Sequence, residues 1–134
     1  MPHIVVLYTN NLEADADIGG LCRVLADTLL AQRDEAGQVV FPVGGTRVFA
    51  YPSAHHAVSD GGGDYGFVYV NLRMGVGRSA AVKKAAGDAL SAAARGHLAP
   101  LLEKRAVGVT LQVDEAPGQV YDAKLGNLHD LFRK

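Results

Sequence analysis

The chain opens on Met1-Pro2-His3-Ile4-Val5-Val6-Leu7-Tyr8, an apolar and β-branched run that directly follows a proline. Such a run favours a β-strand, which would hold Pro2 at a fixed position in a sheet. If Met1 is removed after synthesis, Pro2 carries a free secondary amine. Terminal amines titrate at about pH 8 in water, and apolar surroundings or nearby cations lower that value. Pro2 is therefore a candidate general base, although prolines also begin edge strands for structural reasons alone.

Composition restricts the class of protein. The length of 134 residues predicts a single domain spanning 1–134, and the 49% apolar content is enough for a core. A net charge of -1 gives no reason to expect nucleic acid or a membrane as a partner. The first apolar run is too short for a signal peptide or a spanning helix. The single cysteine, Cys22, lies in a predicted helix and favours a reducing, cytoplasmic location.

Apolar periodicity predicts four strands and two main helices. Asp17 and Ser79 are suited to be the N-caps of the helices. The predicted strands are 4–8, 47–51, 65–72 and 107–113, the helices are 18–33 and 80–98, and a short terminal helix covers 125–132. This order predicts an α+β fold, a β-α-β-β-α-β unit in which two helices pack on one sheet.

The strand sequences also predict an interface. The first, third and fourth strands read as apolar on both faces, a pattern typical of sheets that are buried on both sides. Two helices cover only one face of a four-stranded sheet, so the other face needs a cover. Another copy of the same chain is the simplest candidate, and we expect self-association.

One motif supports a rival interpretation. Gly75-Val76-Gly77-Arg78-Ser79-Ala80 matches the loose glycine-rich fingerprint of dinucleotide-binding folds, between a strand and a helix. The acidic residue that should follow about twenty positions later is missing from 94–99, and no second nucleotide-binding half is present. The pattern therefore favours a glycine turn before a capped helix.

Arg78 is the unexplained residue in that motif. A cation in the first turn of a helix is unfavourable unless an anion shares the site, and a guanidinium pairs well with a carboxylate. Arg47, at the start of a strand, reads on its own as a surface charge. The histidines His3, His55 and His56 lack the spacing of a metal site, and no serine, cysteine or carboxylate dyad has the surroundings of a hydrolase.

Taken together, these segments resemble the 5-carboxymethyl-2-hydroxymuconate isomerase family of the tautomerase superfamily. The resemblance spans nearly the whole chain, and no single segment carries it. The matching stretches are Met1-Pro2-His3, Phe41-Pro42 through Gly45 to Arg47, Asp64-Tyr65 with Phe67-Val68, Gly75 to Ser79, and Asn127 through His129 to Leu131-Phe132.

The resemblance implies a homotrimer and a cofactor-independent isomerase. It implies that the N-terminal proline, Pro2, is the acid/base group, and that Arg47 and Arg78 hold carboxylates of a small-molecule substrate. The reaction would be the ketonisation of a dienol di- or tricarboxylate in aromatic-acid breakdown. The alternative is a trimeric protein of the same fold that binds or promiscuously converts another enol carboxylate. Retention of Met1 would make the Pro2 nitrogen an amide and prevent base catalysis.

Overall fold

A computed structural model of the chain describes residues 2–133, in which four strands and two α-helices alternate as β-α-β-β-α-β. This order confirms the predicted α+β unit. The strands are β1 (His3–Thr9), β2 (Arg47–Ser53), β3 (Gly66–Gly75) and β4 (Val107–Ala116), and the helices are α1 (Ile18–Leu30) and α2 (Ala80–Leu102). None of the helices within 2–133 is long and apolar enough to cross a membrane.

The four strands form one sheet in the order β2-β1-β3-β4. Strand β1 pairs in parallel with β2 and antiparallel with β3, and β3 pairs in parallel with β4. Each helix therefore connects two parallel strands, because a parallel pair needs a long crossover. Strand β1 is an interior strand, with hydrogen-bonded neighbours on both sides.

Both helices pack on the same face of the sheet and bury one core. Residues of β1 and β3 alternate in burial, as expected for strands with one face covered. The fully buried core includes Ile4, Val6, Leu21, Leu25, Leu29, Phe41, Val68, Val70, Leu72, Ala86 and Leu90.

Helix α1 begins as predicted but ends earlier. The Asp17 carboxylate accepts a hydrogen bond from the Gly20 N–H at 3.1 Å, which caps the first turn. The prediction that the helix reaches residue 33 is wrong, because Arg33 instead forms an isolated antiparallel bridge with Val39. A tight turn at 34–38 makes this bridge possible: Asp34 Oδ1 accepts backbone N–H bonds from Ala36 and Gln38, each at 2.9 Å.

Helix α2 is longer than the sequence predicts. Ser79 caps it, since its hydroxyl accepts the Val82 N–H at 3.2 Å. The helix continues past residue 98 and includes Pro100 in its last turn. Two buried leucines, Leu98 and Leu101, hold that turn against the core, so their packing outweighs the hydrogen bond that the proline cannot donate.

The sheet face turned away from the helices, which we call the far face, differs from the prediction. The expectation that β4 is apolar on both faces is wrong, because its register with β3 places Gly108, Thr110, Gln112 and Asp114 on the far face. The apolar part of the far face is instead formed by β2, β1 and the first half of β3. Its side chains are Val5, Leu7, Phe49, Tyr51, Phe67 and Tyr69.

Hydrogen bonds between side chains mark the polar half of the far face. Tyr69 Oη donates to Gln112 Oε1 at 2.9 Å, and Asn71 Nδ2 donates to Asp114 Oδ2 at 2.8 Å. The apolar half has no such network: Leu7, Phe49 and Tyr51 are each about half exposed, at 47–51%. An apolar patch of this kind on an otherwise hydrogen-bonded face is typical of an interaction surface.

The C-terminal segment, residues 117–133, follows β4 without further strands. The prediction of a terminal helix over 125–132 is wrong. Only His129–Phe132 are helical, and they form a single 3-10 turn. No residue of that turn is buried, so no core contact extends it into a helix. The segment exposes six large apolar side chains, Val120, Tyr121, Leu125, Leu128, Leu131 and Phe132.

His129 holds the C-terminal segment against the rest of the chain at Gly44. A Cβ atom added at Gly44 would lie 2.8 Å from His129 Nδ1 and 3.0 Å from its Cα, closer than side chains pack. Gly44 belongs to the 3-10 turn Val43–Gly45 that precedes β2. Only glycine at this position permits the contact between the two turns.

We therefore expect Gly44→Ala to detach the C-terminal segment and leave the core folded. The overpacked contact should cost about 1–3 kcal/mol, and trypsin should cut after Lys124 severalfold faster than in the wild type. Gly126→Ala is the matched control, because a Cβ there meets nothing within 4 Å. Equal cleavage rates for the two variants would contradict the role of the Gly44 contact.

Candidate active site

The sheet topology brings the candidate site residues to one end of the sheet, which we call the Pro2 end. His3 pairs with Arg47 at the start of β2 and with Arg73 near the end of β3. Pro2, which precedes β1, therefore lies between the start of β2 and the end of β3, and it is buried. Arg78 follows three residues after the last residue of β3, Gly75. Met1 lies outside the described residues.

Arg47 is in direct contact with Pro2. Its Nη1 donates to the Pro2 carbonyl oxygen at 3.4 Å and to the Gly45 carbonyl oxygen at 2.8 Å. Within residues 2–133 it forms no ion pair. A guanidinium has five N–H donors, so most of those of Arg47 remain for a ligand. The structure thus places an uncompensated cation beside the proposed base.

A cavity of about 470 Å³ opens beside Arg47. We call it the Arg47 cavity. Gly44 and Arg47 form one wall, and the C-terminal segment forms the other. The lining residues from that segment are Asp122, Ala123, Lys124, Gly126, Leu128, His129, Asp130 and Arg133. A volume in this range accommodates a small organic ligand.

The charges of the Arg47 cavity favour an anion. Its two carboxylates already have partners, because Lys124 Nζ lies 2.7 Å from Asp122 and Arg133 Nη1 lies 3.6 Å from Asp130. The hydrogen bond from Lys124 lowers the pKa of Asp122 and keeps that carboxylate ionised. The charge of Arg47 is left in excess in a partly enclosed space, where it attracts an anionic group.

Arg78 occupies a different environment. The expectation that it lies in the first turn of α2 is wrong, because Ser79 is the N-cap and the helix begins at Ala80. Its guanidinium carbon lies 4.8 Å from the centre of the Phe41 ring, and its Nη2 donates to the Val40 carbonyl oxygen at 3.3 Å. Stacking on an aromatic ring fixes the plane of a guanidinium and leaves its edge available.

A second cavity, of about 330 Å³, lies beside Arg78. This Arg78 cavity is lined by Asp34, Glu35, Val39, Val40, Gly77, Arg78, Ser79 and Val82, and it shares no lining residue with the Arg47 cavity. Its one arginine faces two acidic residues, so its excess charge is negative. The structure thus brings Pro2 and Arg47 together and places Arg78 nearby in a separate cavity.

Segment 40–47 links the two arginines. Arg78 contacts the carbonyl and ring at its beginning, Val40 and Phe41, and Arg47 contacts the carbonyl of Gly45 near its end. Phe41 is fully buried, so this segment is anchored in the core between them.

The loop histidines and two buried titratable groups lie elsewhere. His55 and His56 are exposed in the loop after β2, as predicted. Tyr8 is buried at the opposite end of β1 and donates a hydrogen bond to Glu13. Burial is the main cause that raises the pKa of Tyr8 to about 12, and the hydrogen bond to Glu13 adds to it. Burial also raises the pKa of the Cys22 thiol. Both groups are thus neutral at physiological pH, which suits a structural role better than nucleophilic catalysis.

Sequence reasoning missed the walls of both cavities. Residues 125–132 read as a short terminal helix, and nothing in the spacing of the charged residues of 122–133 indicates that His129 contacts Gly44. Glu35 lies just after the predicted end of the first helix, and no role was predicted for it. The available signal was indirect: Asp34 followed by Gly37 indicates a tight turn, but not what the turn faces.

Comparison with known proteins identifies the family. The model of the 5-carboxymethyl-2-hydroxymuconate isomerase family matches residues 2–132. The 5-carboxymethyl-2-hydroxymuconate Delta-isomerase of Escherichia coli is 30% identical over 133 residues, which cover 99% of this chain and 100% of that protein.

Solved structures agree with this match. A 5-carboxymethyl-2-hydroxymuconate delta-isomerase is 55% identical with a TM-score of 0.95, over 100% of this chain and 94% of that chain. The 5-carboxymethyl-2-hydroxymuconate isomerase from Deinococcus radiodurans R1 is 34% identical with a TM-score of 0.85, and the match covers 99% of this chain and 95% of that chain.

More distant structures share the fold alone. They include a member of the cis-3-chloroacrylic acid dehalogenase family, 15% identical with a TM-score of 0.62. A fused 4-OT solved as a symmetric trimer is 18% identical with a TM-score of 0.51. With its tautomerase fold and a family match that spans nearly its whole length, this chain belongs to the 5-carboxymethyl-2-hydroxymuconate isomerase family.

Proposed function

We propose that this isomerase ketonises a dienol di- or tricarboxylate resembling 5-carboxymethyl-2-hydroxymuconate, without a cofactor and with Pro2 as the acid/base group. The observation that carries the proposal is the contact between Arg47 and Pro2, at 3.4 Å, beside a cavity with excess positive charge. A base and an anion-binding cation are thereby adjacent, as the removal of a proton from an anionic enol requires.

The proposed reaction moves one proton and conserves all electrons. The neutral Pro2 nitrogen takes the proton of the enol hydroxyl, the C–O bond becomes a carbonyl, and the double bonds shift along the chain. The protonated proline then returns the proton to a distant carbon. The Arg47 guanidinium contacts the carbonyl of Pro2, and a cation so close to the residue disfavours a protonated amine on it, so Arg47 supports the neutral state in which Pro2 acts as the base.

The two arginines have separate roles in the proposal. Arg47 holds one carboxylate next to the reacting enol and stabilises the negative charge that spreads over the dienolate. Arg78 holds a second carboxylate at the other cavity. Two fixed anchor points orient an extended substrate across the Pro2 end, and orientation of this kind lowers the entropic part of the barrier.

We expect the native protein to lack Met1 and Pro2→Ala to lower kcat by about 10²- to 10⁴-fold, the range for one general base. Intact-protein mass spectrometry and a tautomerase assay on a dienol dicarboxylate measure the two effects. Pro52→Ala, at an exposed proline near the end of β2, is the matched control. Full activity in protein that retains Met1 would contradict the proposal, and inactivity of the wild type on every enol tested would favour a binding protein.

A carboxylate contact of Arg78 predicts a selective loss. A hydrogen bond to a charged group contributes roughly 1.5–3 kcal/mol, so Arg78→Ala should lower kcat/KM for a dicarboxylate about ten- to a hundredfold. Arg78→Lys should restore only part, because it keeps the charge but loses the paired geometry. The control is Arg95→Ala, an exposed arginine on α2. Equal losses for dicarboxylate and monocarboxylate substrates would rule out the carboxylate role.

We also propose that the protein is a homotrimer that acts in the cytoplasm in the breakdown of aromatic acids. The half-exposed apolar residues of the far face and the six exposed apolar residues of the C-terminal segment support self-association. The number three rests on the family resemblance and on the symmetric trimer of the fused 4-OT.

Light scattering at micromolar concentration should therefore give three times the mass of one chain. Phe49→Asp should reduce that mass, because it buries a charge in the apolar half of the far face. Gln112→Asp adds the same charge on the polar half and should leave the assembly intact. A wild-type monomer would contradict the assembly proposal, and equal dissociation by both variants would contradict the assignment of the interface.

A further inference from the structure

The Arg78 cavity contains a carboxylate that the proposed reaction does not use. Glu35 lines it together with Arg78, and its Oε1 accepts a hydrogen bond from the Ser79 hydroxyl at 3.4 Å. Ser79 is the residue next to Arg78 and the N-cap of α2. Glu35 is therefore held next to the residue that we propose to bind a substrate carboxylate.

The turn at 34–38 fixes this placement. Besides the two bonds that Asp34 Oδ1 accepts, the Asp34 N–H donates to the Gln38 carbonyl and the Gly37 N–H to the Asp34 carbonyl, both at 2.9 Å. Gly37 has a φ of 78°, which favours glycine. The bridge between Arg33 and Val39 closes the turn at its base. Glu35 is therefore part of a turn that several hydrogen bonds hold in one conformation.

Glu35 and Arg78 do not form an ion pair in this structure, although they line one cavity. The carboxylate therefore does not occupy the guanidinium edge, which stays open to a ligand. Its charge nevertheless acts on any anion bound there. Like charges in one cavity repel each other, and because Glu35 is exposed, water screens part of that repulsion.

We propose that Glu35 is a specificity-determining residue that weakens the binding of carboxylates to Arg78. The inference rests on the proposed function, because it takes Arg78 to be a carboxylate ligand. Its consequence is that Arg78 alone holds an anion poorly. A substrate gains from the Arg78 cavity only when a second carboxylate is anchored elsewhere, at the Arg47 cavity in the present proposal. Glu35 thereby lowers the preference of the site for dicarboxylates over monocarboxylates that bind at the Arg47 cavity alone.

Glu35→Gln is the direct test, because glutamine keeps an oxygen that can accept the Ser79 hydrogen bond and removes only the charge. With 2-hydroxymuconate, a dienol dicarboxylate, we expect kcat/KM to rise about three- to tenfold, mainly through KM. The same substitution in an Arg78→Ala background should change kcat/KM less than about twofold, since no carboxylate is then bound. Glu103→Gln, an exposed glutamate just after α2, is the matched control.

Binding measurements make the test independent of turnover. Calorimetry with muconate and sorbate compares a dicarboxylate with a monocarboxylate of the same carbon skeleton. Glu35→Gln should tighten muconate binding about three- to tenfold in the presence of Arg78 and leave it unchanged in its absence.

An unchanged muconate Kd in Glu35→Gln, or the same gain with and without Arg78, would overturn the inference. Either result would leave the proposed function intact if Pro2→Ala still lowers kcat by about 10²- to 10⁴-fold. If Pro2→Ala is as active as the wild type, the proposed function fails, and the muconate comparison still decides the role of Glu35.

Discussion

The pairing of β1 with a parallel neighbour on one side and an antiparallel neighbour on the other determines the rest of the structure. Because β2 runs parallel to β1, its first residue, Arg47, lies next to the start of β1. Because β3 runs antiparallel, its last residues and the turn that carries Arg78 come to the same end. Pro2 is therefore enclosed by segments that are far apart in the sequence. An edge strand in this position would leave Pro2 exposed and one of the two arginines far away.

The electrostatics of the Pro2 end differ between its two cavities. In the Arg47 cavity the acids are paired with Lys124 and Arg133, so Arg47 provides excess positive charge next to Pro2. In the Arg78 cavity the acids outnumber the arginine. An anionic ligand would consequently be attracted first to the Arg47 cavity, on the side of Pro2. This asymmetry gives the two arginines unequal roles, although both resemble carboxylate ligands in the sequence.

Much of the fold could be predicted from local sequence, and much of the site could not. The four strands and the caps Asp17 and Ser79 follow from apolar periodicity and local hydrogen bonding, which act over a few residues. The polar far face of β4 follows from the alternation of Val107, Val109, Leu111 and Val113 with glycine and polar residues, which the prediction of two apolar faces overlooked. The contact between Gly44 and His129 joins residues 85 positions apart in the sequence numbering, and only tertiary packing brings them together. The family resemblance assigned roles to Pro2, Arg47 and Arg78, but neither the contact of Arg47 with Pro2 nor the separate cavity of Arg78 was predicted.

The central claim is that the Pro2 nitrogen is a free amine that titrates and acts as the base. Nitrogen NMR of protein labelled with ¹⁵N-proline tests it most directly, because an amine and a peptide nitrogen have different chemical shifts and only the amine responds to pH in this way. We predict one proline resonance that titrates, with a midpoint equal to the pKa that limits kcat/KM on the acidic side. A Pro2 resonance with the shift of an amide and no response to pH would contradict the account.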